Sequence, residues 1–204
     1  HAAARFLAQA ACAVAIEADG VFAAALAPGE AREVESLWAY PMGELVAPEA
    51  LSWRRLDTDP KACLDLRRVA LAAEIAGCLS AALASVVQHV SDRRQFGRPL
   101  GSLQAVQHRL AHSAVAVEGV RWLALAAAAG SVPAALALGQ AQQAVRPVAY
   151  DLHQFMGAMG LTLEHPLHRW TYRARRLQSE LGAADRQFQL AAVVVGQLLD
   201  VAAE

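Results

Sequence analysis

The spacing of apolar and polar positions changes character near residue 59. Ahead of it, "ACAVAIEADGVFAAALAP" sets two short apolar runs around Ala18-Asp19-Gly20, which predicts a β-hairpin. "REVESLWAYPMGELVAPEALSWRRLD" follows, broken by Pro41 and Gly43, with "GELVAP" reading as one more strand. A hairpin and an isolated strand cannot bury both of their faces. Residues 1–58 are therefore expected to be a partial β-domain, or a segment completed by another chain.

From Asp59-Pro60 onward the period becomes helical. A first helix is expected from Pro60 or Leu64 to Ser91, and a second from an N-cap at Ser102 to Ala129. A third runs from Pro133 to Met159 with Pro147 kinking its interior, a fourth from Leu167 to Leu181 stopped by Gly182, and a fifth from Ala183 to Val201. The fold class that follows is mainly α: a helical bundle over 59–204 preceded by a partial β-domain over 1–58.

Composition narrows this picture. The chain has 204 residues, 56% hydrophobic and 18% charged, which excludes general disorder and predicts a large buried fraction. A formal net charge of −1 excludes electrostatic capture of nucleic acid or an anionic membrane. Val69 to Gln88 is long enough to span a bilayer, yet it holds Glu74 and is mostly alanine, so it reads as a buried core helix. Cys12, Cys63 and Cys78 show no CxxC spacing and read as reduced thiols. His108 and His112 share a helical face, but no HExxH glutamate accompanies them and no metal is expected. No signal peptide is read at the N-terminus, and a cytoplasmic location is expected.

One stretch departs from the alanine-rich background. In "SDRRQFGRPLGSLQAVQHRLAH", residues 91–112, a Gly-Arg-Pro turn sits among arginines and precedes Gln104, Gln107 and His108. Arginines clustered so locally point to a local anion. Arg93 and Arg94 equally suit a solvated helix C-terminus, where the macrodipole favours cations.

Within this stretch, "DRRQFGRPLGSLQAVQHRLA" resembles the Arg-x-x-Phe-Gly…Gln-x-x-x-x-x-Leu-Ala signature in the C-terminal helical domain of the acyl-CoA dehydrogenase family. About sixty residues on, "HQFMGAMGLTLEHPLHR" resembles that family's Gln-x-x-Gly-Gly-x-Gly…Glu-(Tyr/His)-Pro element. The two motifs occur in the family's order, each at a helix junction, and the resemblance covers about Leu64 to Asp200. It implies FAD at a subunit interface, with this domain reaching the pyrophosphate and adenosine of a flavin whose ring the neighbouring subunit holds. Arg93 then partners the pyrophosphate, with Gln95 and Phe96 along the same contact. Leu100, Leu103 and Gln104 face the adenosine, and Gln154, Gly157 and Ala158 complete the cradle. Ala158 replaces the family's second glycine, and its methyl would crowd a close backbone approach.

The family's reaction removes an α-proton from an acyl-CoA thioester onto a carboxylate, usually glutamate, which stands at one of two alternative positions. Here those positions are Leu181 and Arg67. Glu180 lies one residue early, which on a helix is a rotation of about 100°. It stands as either a displaced base or a surface or helix-end charge. Arg68 aligns with an arginine near the substrate, or is simply solvated or salt-bridged. The resemblance thus extends to the non-base subunit of actinobacterial heterotetrameric enzymes, some of which take sterol-derived acyl-CoA. Its partner would be a second acyl-CoA dehydrogenase subunit or another copy of itself, joined through the second, third and last helices. The family's N-terminal helical domain and first β-half lie outside this sequence, absent or on a longer chain. Two other readings stay open: a self-sufficient dehydrogenase using Glu180, and a non-enzymatic scaffold or dimerisation module of the same fold.

Overall fold

The computed structural model describes residues 3–202, with side chains described to residue 197. The chain forms two compact units, 1–67 and 68–204.

The first unit holds six strands: β1 (Ala4–Arg5), β2 (Cys12–Ile16), β3 (Val21–Ala25), β4 (Ala31–Val34), β5 (Met42–Leu45) and β6 (Arg54–Leu56). They make two antiparallel three-stranded sheets, ordered β1-β5-β4 and β2-β3-β6. The predicted hairpin is β2–β3, paired from Cys12 with Ala25 to Ile16 with Val21 and closed by Glu17 N–H donating to the Gly20 carbonyl at 2.9 Å. The "GELVAP" strand is β5, but it is not isolated. It is the centre of a sheet, flanked by β1 and by β4, whose Arg32 pairs with Glu44. Gly43 is required there, because a Cβ would lie 2.4 Å from the Ala8 nitrogen. β1 and β6 are too short to show an alternating pattern, and Arg32 and Glu33 of β4 are both exposed, which hid these three strands in the sequence. Ala13, Val21, Ala24, Tyr40, Met42 and Leu51 form this unit's core.

The helices are α1 (Pro60–Asp92), α2 (Gln104–Ala128), α3 (Ala134–Met156), α4 (Leu167–Leu177) and α5 (Ala183–Ala202). Asp59 caps α1, its carboxylate accepting from the Lys61 and Ala62 amides at 3.0 and 3.3 Å, with Pro60 in the first turn where no amide is needed. In the second unit, α1 is buried along one stripe (Leu71, Ile75, Leu79, Ala82, Val86, Val90) and exposed at Ala73, Gly77, Ala84 and Val87. It has the length and apolarity to cross a membrane, but its burial is that of a core helix with one face outward. The most enclosed helix is α3, which packs against α2, α4 and α5. Gly139 lets α5 approach it, since a Cβ would meet the Phe188 ring at 2.9 Å.

Three helix ends differ from expectation. Ser102 does not cap α2: its hydroxyl donates back to the Pro99 carbonyl at 2.7 Å within a short 3-10 turn, Leu100–Ser102, and the helix starts at Gln104. α3 stops at Met156 because Gly157 takes φ 62°, ψ −142°, a region open essentially to glycine alone. α4 stops at Leu177, four residues early, where the side-chain amide of Gln142 donates to the Leu177 and Glu180 carbonyls at 3.1 and 2.8 Å and competes with helix continuation.

Candidate functional site

Residues 93–104 form a hairpin between α1 and α2. Two short strands, β7 (Arg94–Gln95) and β8 (Arg98–Pro99), pair across Phe96 at φ 53° and Gly97 at φ 78°. Two successive positive φ angles are the signature of a tight primed turn, and Gly at its second position tolerates it without cost. The Leu100 amide donates to the Arg93 carbonyl at 2.8 Å, closing the base of the hairpin. The turn thrusts Phe96 into solvent at 85% exposure. Arg93, Arg94, Gln95 and Arg98 are exposed beside it, Gln104 is exposed at the first turn of α2, and Leu100 and Leu103 are half-buried beneath.

The second motif lies at the end of α3. Gln154, Gly157 and Ala158 are all exposed, and nothing lies within 4 Å of where a Gly157 Cβ would stand. The side chains of Arg93, Gln95, Gln104 and Gln154 make no hydrogen bond or ion pair among the described residues. These donors are uncommitted; Phe96 is an exposed ring in the first motif, and Gly157 leaves an open backbone in the second. Guanidinium and amide donors of this kind suit a phosphate-bearing, ring-containing ligand.

Arg93 shares an open cleft of about 480 Å³ with Ser85, Gln88, His89, Asp92 and His165. The Leu167 amide at the start of α4 donates to Nδ1 of His165 at 3.1 Å, so the neutral ring carries its proton on Nε2 and donates to Ser85 Oγ at 3.2 Å. Gln88 donates to Asp92 at 2.7 Å. Burial holds the His89 pKa below 6.5, and the nearby Arg93 and His165 depress it further against the opposing Asp92 carboxylate. The cleft thus links the first motif to His165 of the second. Gln154, Gly157 and Ala158 are not among its lining residues.

The region to which the resemblance assigns the base is built differently. Leu181 adopts φ 55°, Gly182 φ 90° and Ala183 φ 62°, three consecutive residues of positive φ at the junction of α4 and α5. Glu180 is buried, correcting its reading as a surface charge, and its carboxylate stands 3.6 Å from Arg176. Arg68 is not a free solvated charge: its Nε donates to Oε1 of the fully buried Gln187 at 3.0 Å, and Gln187 donates onward to the Leu181 carbonyl at 2.5 Å. Arg67 is exposed on α1. Gln142 and Gln187, which fix this turn, were missed in the sequence. Their signal was a glutamine on the apolar face of a helix, where a buried amide must find partners.

Comparison with known proteins agrees with this geometry. The family described as "Acyl-CoA dehydrogenase, C-terminal domain" matches residues 59–195. The chain is 34% identical over 133 residues to the acyl-CoA dehydrogenase IpdE2 of Mycolicibacterium smegmatis, covering 64% of this chain and 43% of that protein. It is 34% identical over 143 residues to the mitochondrial short-chain specific acyl-CoA dehydrogenase of Bos taurus, covering 67% of this chain and 34% of that one. Among solved structures, the steroid ACAD Tcur3481-Tcur3483 superposes with a TM-score of 0.80 at 26% identity, covering 96% of this chain and 58% of that one. The ChsE4-ChsE5 complex of Mycobacterium tuberculosis gives 0.72 at 27% identity, covering 93% and 55%. The chain therefore spans less than half the length of these curated relatives and little more than half of the solved chains. With both motifs exposed at helix junctions and the family match extending over 59–195, the chain belongs to the acyl-CoA dehydrogenase family.

Proposed function

We propose that this chain is a subunit of a flavin-dependent acyl-CoA dehydrogenase, completing a FAD site shared across a subunit interface while lacking the catalytic base. Members of the family use FAD, and bound FAD supplies the hydride acceptor for α,β-dehydrogenation of an acyl-CoA thioester. The chain's own part is to bind and orient. Arg93 offers a guanidinium to a pyrophosphate, Gln95, Phe96, Leu100, Leu103 and Gln104 line the adenosine side, and Gln154, Gly157 and Ala158 close it. The observation that carries this reading is the exposure of Arg93, Gln95, Phe96, Gln104, Gln154, Gly157 and Ala158, with the polar side chains among them uncommitted.

Leu181 and Arg67 stand where the family's base would be, and Glu180 faces Arg176 in the interior, which supports the base-less reading. Arg68 spends a donor on Gln187, so its role is to brace the turn that a partner's substrate would approach. The partner that fits is a second acyl-CoA dehydrogenase subunit carrying the carboxylate, in a cytoplasmic heteromer. That similar solved structures include a steroid ACAD and the ChsE4-ChsE5 complex supports a heteromeric enzyme for a bulky, sterol-derived acyl group.

Steady-state assay with an artificial electron acceptor tests the division of labour. The chain alone should oxidise no acyl-CoA, and mixing with the base-bearing subunit should restore turnover. Turnover by the chain alone, abolished by Glu180→Gln, would overturn it in favour of a self-sufficient enzyme.

A further inference from the structure

We propose that a second cleft, lined from α2, α3 and α4, binds a phosphate dianion of the kind carried by a nucleoside monophosphate. The cleft is about 490 Å³ and is lined by Arg109, Arg146, Pro147, Tyr150, Asp151 and Arg175. Of these only Arg109 falls within a motif segment, the first, and none is among the residues assigned to the FAD half-site.

Its charge balance is the first argument. Three arginines and one aspartate line it, a surplus of two positive charges. Asp151 is already committed: it pairs with Arg109 and lies 3.5 Å from the Ser113 hydroxyl. Arg146 and Arg175 have no carboxylate partner within 4.0 Å among the described residues. Like charges gathered in one concavity repel unless an anion joins them, and a dianion matches the surplus.

Geometry is the second. Arg109 is fixed by Asp151 and by its stacking 4.9 Å from the Phe155 ring centroid, with the Tyr150 centroid 5.8 Å away. A preorganised guanidinium loses little freedom on binding, and its planar fork matches two phosphate oxygens at once. Tyr150 is 64% exposed at this cleft, an uncovered ring on which a base can stack. The volume accommodates a phosphate together with a ring system.

The test is calorimetric titration of the full chain with inorganic phosphate and, separately, with adenosine monophosphate. Both should bind saturably, the nucleotide more tightly. Arg146→Ala with Arg175→Ala should weaken both by about tenfold or more, as loss of charge-assisted contacts requires. Tyr150→Ala should weaken only the nucleotide, and Arg121→Ala, at an exposed arginine of α2 that lines neither cleft, should change neither. These side chains are exposed, so the variants should keep the parent's circular dichroism.

Three results would overturn the proposal. One is absence of saturable binding of either probe. Another is weakening by Arg93→Ala rather than by the Arg146 and Arg175 pair, which would assign the binding to the hairpin. The third is a shift of the double variant to a smaller species in sedimentation without a change in anion binding, which would assign the arginines to a neighbouring copy's carboxylate. Phosphate binding as tightly as the nucleotide would refute the stacking role of Tyr150.

Discussion

Arg68 donates to Gln187 at 3.0 Å, a contact spanning 119 positions of sequence that ties the first long helix to the last. Gln187 passes the bond to the Leu181 carbonyl, and Gln142 holds the Leu177 and Glu180 carbonyls from the other side. Two buried amides thus fix the turn between α4 and α5.

Replacing Gln187 by Leu keeps the volume but leaves the Leu181 carbonyl without its donor. The Leu181 carbonyl is part-buried, so losing its donor should cost about 1 kcal/mol, the low end for a buried acceptor. Urea denaturation should show that loss, with an unchanged slope. A stability equal to the parent's would mean the turn does not depend on the amide.

Ala183 sits at φ 62°, ψ −178°, a conformation nearly reserved for glycine. Ala183→Gly should therefore stabilise the protein by about 1 kcal/mol, read as a higher melting temperature. A fall on this substitution would show that the methyl's packing outweighs the backbone strain.

His153 gives a pH dependence of defined sign. Its Nδ1 lies 3.0 Å from the Gly160 carbonyl and its Nε2 2.9 Å from the Thr171 hydroxyl, so the neutral ring donates to the carbonyl and accepts from the hydroxyl. Burial is the main cause that pushes its pKa below 6.5; the Gly160 carbonyl opposes this, and Arg175 and His168 add to it. Below that ordinary value the unfolded chain takes up a proton that the folded chain refuses. The stability this histidine contributes is therefore full above pH 6.5, and is lost as pH falls from 6.5 through the lower folded value. Melting temperature measured between about pH 7.5 and about pH 5.5, the range in which histidine titrates, should drop less in His153→Gln than in the parent. Equal drops would contradict it.

His89 reports on the cofactor-side cleft. Burial is the larger cause of its low pKa and will persist in a variant, but the Arg93 contribution will not. Arg93→Ala should raise the His89 pKa toward 6.5 in an NMR titration. An unmoved value would mean that Arg93 does not face the imidazole in solution.

Much of this architecture was legible in the sequence because its boundaries are chemical. Asp59-Pro60 and Gly130 with Pro133 mark helix ends by the conformations they force or forbid, and the Ala18-Asp19-Gly20 signal marks the hairpin. The two motifs could be placed at helix junctions for the same reason. What stayed hidden depends on partners distant in the chain. β4 is a strand only because β5 lies beside it, and "AREV" carries no alternation of its own. α4 ends at Leu177 because Gln142, 35 positions earlier, reaches its last carbonyls. Glu180 reads as a helix-end charge until the turn that buries it is known.

The central claim is that this chain completes a partner's FAD site. Its most direct test is the visible spectrum of the complex, purified with its base-bearing partner, when Arg93→Ala and Gln154→Ala are placed in this chain alone. The account predicts a yellow parent complex and a colourless or flavin-depleted variant that still assembles. A variant that keeps its full flavin absorbance and turnover would contradict it, and would leave these residues with a structural role only.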